Sequence, residues 1–516
     1  MDKGRSSKRI SIICIILGMA LILEMVALFF NSGAISGLNR RADNFKVYAK
    51  ATKDDETITP GDIYDRNGTV LVSTANVTDE DTGSQRRVTT YSNSMAYAQL
   101  LGYTGRHVFD PLAESTEDVV GNRNDARLMA FLDEDYWGKN GALYNTVDID
   151  GVKGQSATLT VDDDLQNYVY NSMCKYMDPK SSIGSAIVMD VETGAILADV
   201  CFPTYDYNDL GTAQQEMEKD EEETNLEPGY PVTYKNPQAP GSIFKVLTAV
   251  ALLDNDMGDF KVKNTSFTVN DSWTCYAGQY YTSTLAVAYD DELDMETALN
   301  ISSNVYFAKA ALELGSDKLN ATAEKFMLKN DGSDLVLDFG KVRYNWDTDV
   351  SDDILAQTGF GQGRTGLTTV QAAMITQAIA NDGVMMKPYV VKNLRDSNGD
   401  IVYEGKAEKL SQATSKKTAR TVGEYMRSTA KECCTLHNLD REAAIFDEYD
   451  VAGKTGTAEN GDPASTTNAW YISFAPVDDP KYVVVVNQCK TDHKYGYKMM
   501  PVVADIYEYL FTTFAE

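Results

Sequence analysis

Histidine is scarce in this chain: three in 516 residues, His107, His437 and His493, far apart in sequence. Imidazole-based catalysis therefore has few candidates. Seven cysteines are scattered as Cys14, Cys174, Cys201, Cys275, Cys433, Cys434 and Cys489, with no CxxC pair and no Cys/His cluster. That argues against a zinc or dithiol redox site, so no metal and no cofactor is expected. Buried, reduced thiols are the expectation, with one disulfide among the later six left open. Positive charge is also short. Lys and Arg total 47 against 76 Asp and Glu, a net charge of −29, which speaks against nucleic acid as a partner because phosphates would be repelled. No repeat recurs at the usual periods. Apolar content is 43%, and the length suits two or three domains with a large core.

One long apolar run is present. Residues 10–30, ISIICIILGMALILEMVALFF, are interrupted only by Glu24 and follow Lys3, Arg5, Lys8 and Arg9. About 20 apolar residues match a bilayer core. No A-x-A cleavage site follows, so the run reads as an uncleaved signal-anchor. The positive-inside rule puts residues 1–9 in the cytoplasm and the rest of the chain outside a plasma membrane crossed once. Glu24 would cost about 3 kcal/mol facing lipid at mid-bilayer. It is expected near the outer interface, protonated, or against a partner's transmembrane helix.

Residues 31–155 are polar with short strand-like runs and no catalytic constellation, and they read as a non-catalytic module. Within them GDIYDRNGTVLVST (61–74) has the pattern strand, Asn-Gly turn, strand, with Asp65, Arg66 and Asn67 at its polar corner. The character changes near residue 156, which is taken as the start of a second domain running to residue 516. ATLTVDDDLQNYVYNSMCKYM predicts a strand, an Asp-rich cap and an amphipathic helix. GSAIVMDVETGAILADV (184–200) predicts a hairpin turning at Glu192-Thr193-Gly194. The acidic run QQEMEKDEEETN (214–225) reads as a surface loop. A helix-rich middle extends to about residue 440, then strand-like segments return, and MMPVVADIYEYLFTTF predicts a closing helix. Strands early, helices between and strands late imply one sheet built from both ends of the domain.

In APGSIFKVLTAVALL, Ser242 follows Pro240-Gly241 at the mouth of a helix that is apolar on nearly every face, and Lys245 lies three residues on. At that spacing the two side chains are neighbours. Backbone N–H groups at a helix start can hold an oxyanion. A lysine held dry and near another cation loses its proton easily, and a serine nucleophile needs such a base. Taken alone, the pair also fits a cap serine and a snorkelling lysine. The S-x-x-K spacing recurs at Ser172–Lys175 and Ser428–Lys431, which lack that context. Two further stretches add weight. Ser302-Ser303-Asn304 opens another helical run, and Lys454-Thr455-Gly456-Thr457 sits in a strand. A strand glycine marks close approach to the backbone, here by a peptide adding along the strand edge. The cation and hydroxyls around it suit a carboxylate end.

SxxK, SxN and KTG in this order resemble the motif set of the penicillin-interacting serine transpeptidases and serine β-lactamases. The whole chain resembles a class B penicillin-binding protein. GDIYDRNGTVLV is similar to the first motif of that family's N-terminal module, with Pro60 where an arginine is usual. TGFGQGRTGLTTVQAA (358–373) is similar to the loop and helix before its third motif. The resemblance implies an α+β architecture. A membrane-anchored, β-rich N-terminal module would precede a transpeptidase domain, whose antiparallel sheet is flanked by helices and carries an all-helical subdomain. It implies peptidoglycan stem peptides ending in D-Ala-D-Ala as substrate and β-lactams as acylating ligands. It also implies a multispanning glycosyltransferase as partner, contacted through Glu24 and the 31–155 module.

The implied roles follow the motifs. Ser242 is the nucleophile, Lys245 its base, Ser302 a proton relay, Asn304 a holder of the acyl amide and of Lys245, and Lys454 an electrostatic tuner. Thr455, Gly456 and Thr457 make the substrate-binding strand, and the backbone N–H groups of Ser242 and Thr457 the oxyanion hole. Two other readings compete. One is a D,D-carboxypeptidase or β-lactamase-type hydrolase, against which no added deacylating base is seen. The other is a non-catalytic β-lactam sensor or scaffold, against which the intact motifs and the short cytoplasmic tail argue.

Overall fold

A computed structural model describes residues 62–101, 156–206, 232–328, 335–342 and 350–514, with short breaks. They belong to one of the chain's two compact units, Gly61–Phe131 with Ser156–Glu516; the other, Met1–Pro60 with Leu132–Gln155, lies outside the described residues. The apolar run 10–30, Glu24 and the acidic run 214–225 also fall outside them. No helix among the described residues is long and apolar enough to cross a membrane.

The central sheet comprises β1 (Ile183–Asp190), β2 (Ile196–Phe202), β3 (Ala452–Glu459), β4 (Thr467–Ala475) and β5 (Tyr482–Thr491). Its order is β3-β4-β5-β1-β2 with every pairing antiparallel, so strands from both ends of the domain meet in one sheet as the pattern predicts. The helices used below are α1 (Asp163–Tyr176), α2 (Lys245–Asp254), α3 (Asn304–Lys325, interrupted at Gly315), α4 (Thr369–Ala380), α5 (Lys416–His437) and α6 (Met500–Thr512).

Alternation along the strands sorts the two faces. Ala186, Val188, Val484 and Val486 point to a core with Leu165, Val169 and Met173 of α1 and Val503, Ile506 and Tyr507 of α6. Ser185, of the other parity, meets Thr369 of α4 through a 2.6 Å hydroxyl–hydroxyl bond. With both faces covered, β5 opens YVVVVNQC, and these eight residues are all buried, each valine contributing about 1.5–3 kcal/mol of apolar transfer. The caps follow their chemistry. Asp162 accepts from Leu165 N at the start of α1, and Thr368 with Gln371 forms a capping box on α4. α5 lays its buried stripe, Val422, Met426, Ala430 and Cys433 among it, against β3.

A second sheet runs in the order 401–404, 391–395, 156–159, 63–64, 70–78, 85–91. Ile63–Tyr64 pairs in parallel with 157–158, so the expected boundary at 155/156 falls between neighbouring strands of one sheet. The Asp65–Asn67 corner docks on the start of α1: Asn67 Nδ2 donates to Asp162 Oδ2 at 2.7 Å and Asp163 N to Asp65 Oδ2 at 3.2 Å. The middle of the chain, read as helix-rich and as holding an all-helical subdomain, also carries strands. Short ladders join 262–263 with 292–293, 267–269 with 273–275, and 280–281 with 286–287. The stretch is polar, and Asn270, Asp271 and Asp290 take positive φ there, which ends each run before a helical period can repeat.

Candidate active site

Three backbones converge to place the nucleophile turn. Gly241 has φ +54, its N–H donates to Gly361 O at 2.9 Å, and a Cβ on either glycine would strike the other segment: Thr457 O for Gly241, Gly241 O for Gly361. Trp470 Nε1 of β4 donates to Ala239 O at 3.0 Å just before the turn. Residues 241–244 then form a single 3-10 turn, and the α-helix proper begins at Lys245. Ser242 therefore lies one turn ahead of α2 rather than at its first residue, and it still leans on Lys245.

Gly456 corrects one expectation. What comes close to its backbone is the protein itself. An added Cβ would lie 2.6 Å from Pro240 O and 2.8 Å from Ile243 Cγ2. The strand is pressed against the nucleophile turn from behind, and β3 remains an edge strand paired only with β4.

Ser302 takes φ +55, and the cap of α3 is Ser303, whose hydroxyl accepts from Tyr306 N. A non-glycine residue in the left-handed region is a local strain of the kind found at functional sites. Here it turns Ser302 toward α2 while Asn304 opens the next helix.

Lys245 is fully buried, and its Nζ has four neighbours: Ser242 Oγ at 2.8 Å, Ser302 O at 2.6 Å, Asn304 Oδ1 at 2.7 Å and Ser302 Oγ at 3.1 Å. Lys454 Nζ, also buried, donates to the other side of Ser302 Oγ at 3.0 Å and to Thr455 O at 3.0 Å. Burial first, then the Lys454 cation, pushes the Lys245 pKa well below the ordinary lysine value; burial brings Lys454 to about 8. The two carbonyl oxygens can only accept. A neutral amine gives them its two N–H groups and keeps one lone pair for the hydroxyls, so it can take the Ser242 proton.

Ser242, Ser302, Thr455 and Thr457 line one cleft of about 380 Å³, together with His437, Tyr495, Gly496 and Tyr497. The predicted site residues thus gather at one cleft, with Lys245, Lys454 and Gly456 buried behind its surface and Asn304, itself exposed, reaching Lys245. The last four lining residues were not singled out from sequence. His437 ends α5, and YGY at 495–497 carries no pattern that sets it apart. Burial and then Lys498 lower the His437 pKa. A larger cavity of about 710 Å³, lined by Arg66, Asp190, Arg420 and Phe514 among others, touches none of the motif residues. The six described cysteines are free thiols, and the described residues hold no cluster suited to a metal. The other two S-x-x-K pairs are structural. Ser172 and Lys175 bind Asp505, and Ser428 Oγ accepts from Asn300.

Comparison with known proteins gives one answer. The family described as penicillin binding protein transpeptidase domain matches residues 184–508. Peptidoglycan D,D-transpeptidase PbpA of Mycolicibacterium smegmatis is 28% identical over 415 residues, covering 78% of this chain and 79% of that one. Penicillin-binding protein 3 of Bacillus subtilis is 27% identical over 334 residues, 62% of this chain and 46% of that one. Among solved structures, penicillin-binding protein A from M. tuberculosis as a ceftriaxone acyl-enzyme has a TM-score of 0.68 at 24% identity, covering 88% of this chain and 99% of that chain; this last likeness carries the fold alone.

Proposed function

This chain belongs to the penicillin-binding protein transpeptidase family, and from that premise we propose how its residues carry out the reaction. The protein is a peptidoglycan D,D-transpeptidase, acylated by its stem-peptide substrate and by β-lactams. The observation that carries the mechanism is the buried Lys245 amine, 2.8 Å from the Ser242 hydroxyl and held by two carbonyl acceptors.

Ser242 Oγ attacks the carbonyl of the penultimate D-alanine and gives its proton to Lys245. The oxyanion is held by the backbone N–H groups of Ser242 and Thr457, whose segments are in contact at Gly241; each such donor is worth about 3 kcal/mol. Ser302, between the two lysines, passes a proton to the departing D-alanine amine. Asn304 holds Lys245 and the acyl chain's amide. Thr455 and Thr457 receive the substrate carboxylate. A neighbouring stem's amine then attacks the ester, forms the cross-link and releases Ser242. A β-lactam takes the first step through its ring amide, and the open ring stays attached.

No carboxylate lines the cleft among the described residues, which favours transfer to an amine over a hydrolase with a carboxylate base. Intact-mass measurement after penicillin tests the assignment: one adduct on the wild type and none on Ser242→Ala is expected, and an adduct on both or neither overturns it. Cross-linked rather than trimmed product from a lipid-linked substrate separates transferase from hydrolase.

The apolar run 10–30 and the basic residues before it support a single-pass anchor in the plasma membrane, N-terminus inside and catalytic domain outside. The reading extends to a multispanning glycosyltransferase that would supply glycan strands, contacted through Glu24 and the 31–155 module. Unaltered association of Glu24→Leu and of a module deletion with that partner would remove this part.

A further inference from the structure

We propose that His437 is a positioning residue for the carboxylate end of the cleft, acting through Tyr497 and Gly496 on Thr457. This rests on the reading that Thr457 receives the substrate carboxylate. The His437 ring lies flat on Tyr497, with centroids 3.8 Å apart and planes at 12°. Tyr495 runs parallel beyond it, 6.3 Å from Tyr497 at 9°. Between the two tyrosines, Gly496 N donates to Thr457 Oγ1 at 3.0 Å. Gly496 reaches that point because it sits against the Gly456 backbone, where an added Cβ would lie 2.8 Å from Gly456 N.

A threonine hydroxyl has one proton and two lone pairs. With one lone pair engaged by Gly496, rotation about the Thr457 side chain is restricted, and its proton is left for an anion in the cleft. The turn that carries Gly496 is a single 3-10 turn, 496–499, without a side-chain cap. Beside the Gly496 contacts, the ring stack braces it on the cleft side. His437 is well placed to provide that brace. It is the last residue of the 22-residue α5, which is closed by Asn438 in the left-handed conformation and packed by Cys433 Sγ against Met500 Sδ at 3.6 Å. No protein group among the described residues hydrogen-bonds the His437 ring, so it acts through its face, and another flat ring can replace it.

The experiment compares acylation rates of Ser242 by a penicillin with a free carboxylate and by its methyl ester, read as a ratio that is insensitive to the fraction of folded protein. His437→Ala is expected to lower the free-acid to ester ratio about tenfold, the loss of one hydrogen bond to a charged group. His437→Phe restores it, and Tyr497→Leu reproduces the loss from the other side of the stack. Thr457→Val lowers the ratio similarly, and adding His437→Ala to it lowers it no further. An unchanged ratio in His437→Ala, a full second loss in the double variant, or no rescue by phenylalanine overturns the proposal. A wild type that is not acylated at all would instead bring down the functional reading beneath it.

Discussion

Of the three serine–lysine pairs spaced three residues apart in this protein, Ser172–Lys175 and Ser242–Lys245 invite comparison, and only the second is built for chemistry. In α1, Ser172 Oγ and Lys175 Nζ both donate to Asp505 Oδ2, at 2.9 and 2.8 Å, while Arg441 takes Oδ1. The Lys175 side chain is 61% exposed, and its bond to Asp505 raises its pKa. Before α2, Ser242 and Lys245 have no carboxylate beside them among the described residues. Lys245 is 0% exposed, with carbonyls, hydroxyls and a second lysine as neighbours, and its pKa moves the other way. Equal spacing thus gives an ion pair in one place and a base in the other. What differs is the charge supplied by the packed neighbours.

The sharpest way to test that contrast is to remove each hydroxyl in turn. Ser242→Ala abolishes the penicillin adduct, whereas Ser172→Ala leaves it intact by mass measurement. Next come the amines. Lys245→Met lowers the acylation rate about 10²–10⁴-fold, the range of a lost general base. Lys175→Met leaves the acylation rate unchanged.

A pH profile sharpens the difference further. The Lys454 cation, which donates to Ser302 Oγ, is lost as pH rises through about 8. Ser302 then lacks the neighbouring charge that favours passing its proton to the leaving amine, so the acylation rate is expected to fall above about pH 8; it also falls on the acid side, where Lys245 gains a proton. Lys454→Met removes the alkaline limb while slowing the reaction at every pH. The smallest effect is structural. Asp505→Asn costs about 1–2 kcal/mol of stability at pH 7, read by urea unfolding, with acylation unaltered. Burial pushes the Asp505 carboxyl up, but the bonds from Lys175, Ser172 and Arg441 outweigh it and hold its pKa low. Its contribution is present above the unfolded carboxylate pKa of about 4 and fades as pH falls through the lower native value, so the penalty of the substitution fades with it.

Much of this was legible in the chain. The hairpin 184–200, the Asp-capped α1, the helix after Pro240-Gly241 and the returning strands follow from local periodicity and cap chemistry. Those signals act over a few residues and survive without knowledge of the rest. The short ladders at 262–293 were not legible, because runs of two or three residues carry no period. Of the cleft, the residues of the three motifs were readable. His437, Tyr495 and Tyr497 were not, because each owes its place to the packing of α5 and the 496–499 turn against β3.

By itself the sequence determined which atoms are available: a hydroxyl and an amine one helical turn apart, a second lysine on a strand, and glycines where backbones must touch. Tertiary structure alone decided that Ser302, 57 residues beyond Lys245, would put its carbonyl 2.6 Å from that amine, and that Lys454 would close on the Ser302 hydroxyl from the sheet. The physical reason is range. Helix spacing and turn chemistry are properties of neighbours in the chain. The protonation of a buried amine depends on the absence of water and on charges brought from elsewhere, which exist only once the core has closed around it.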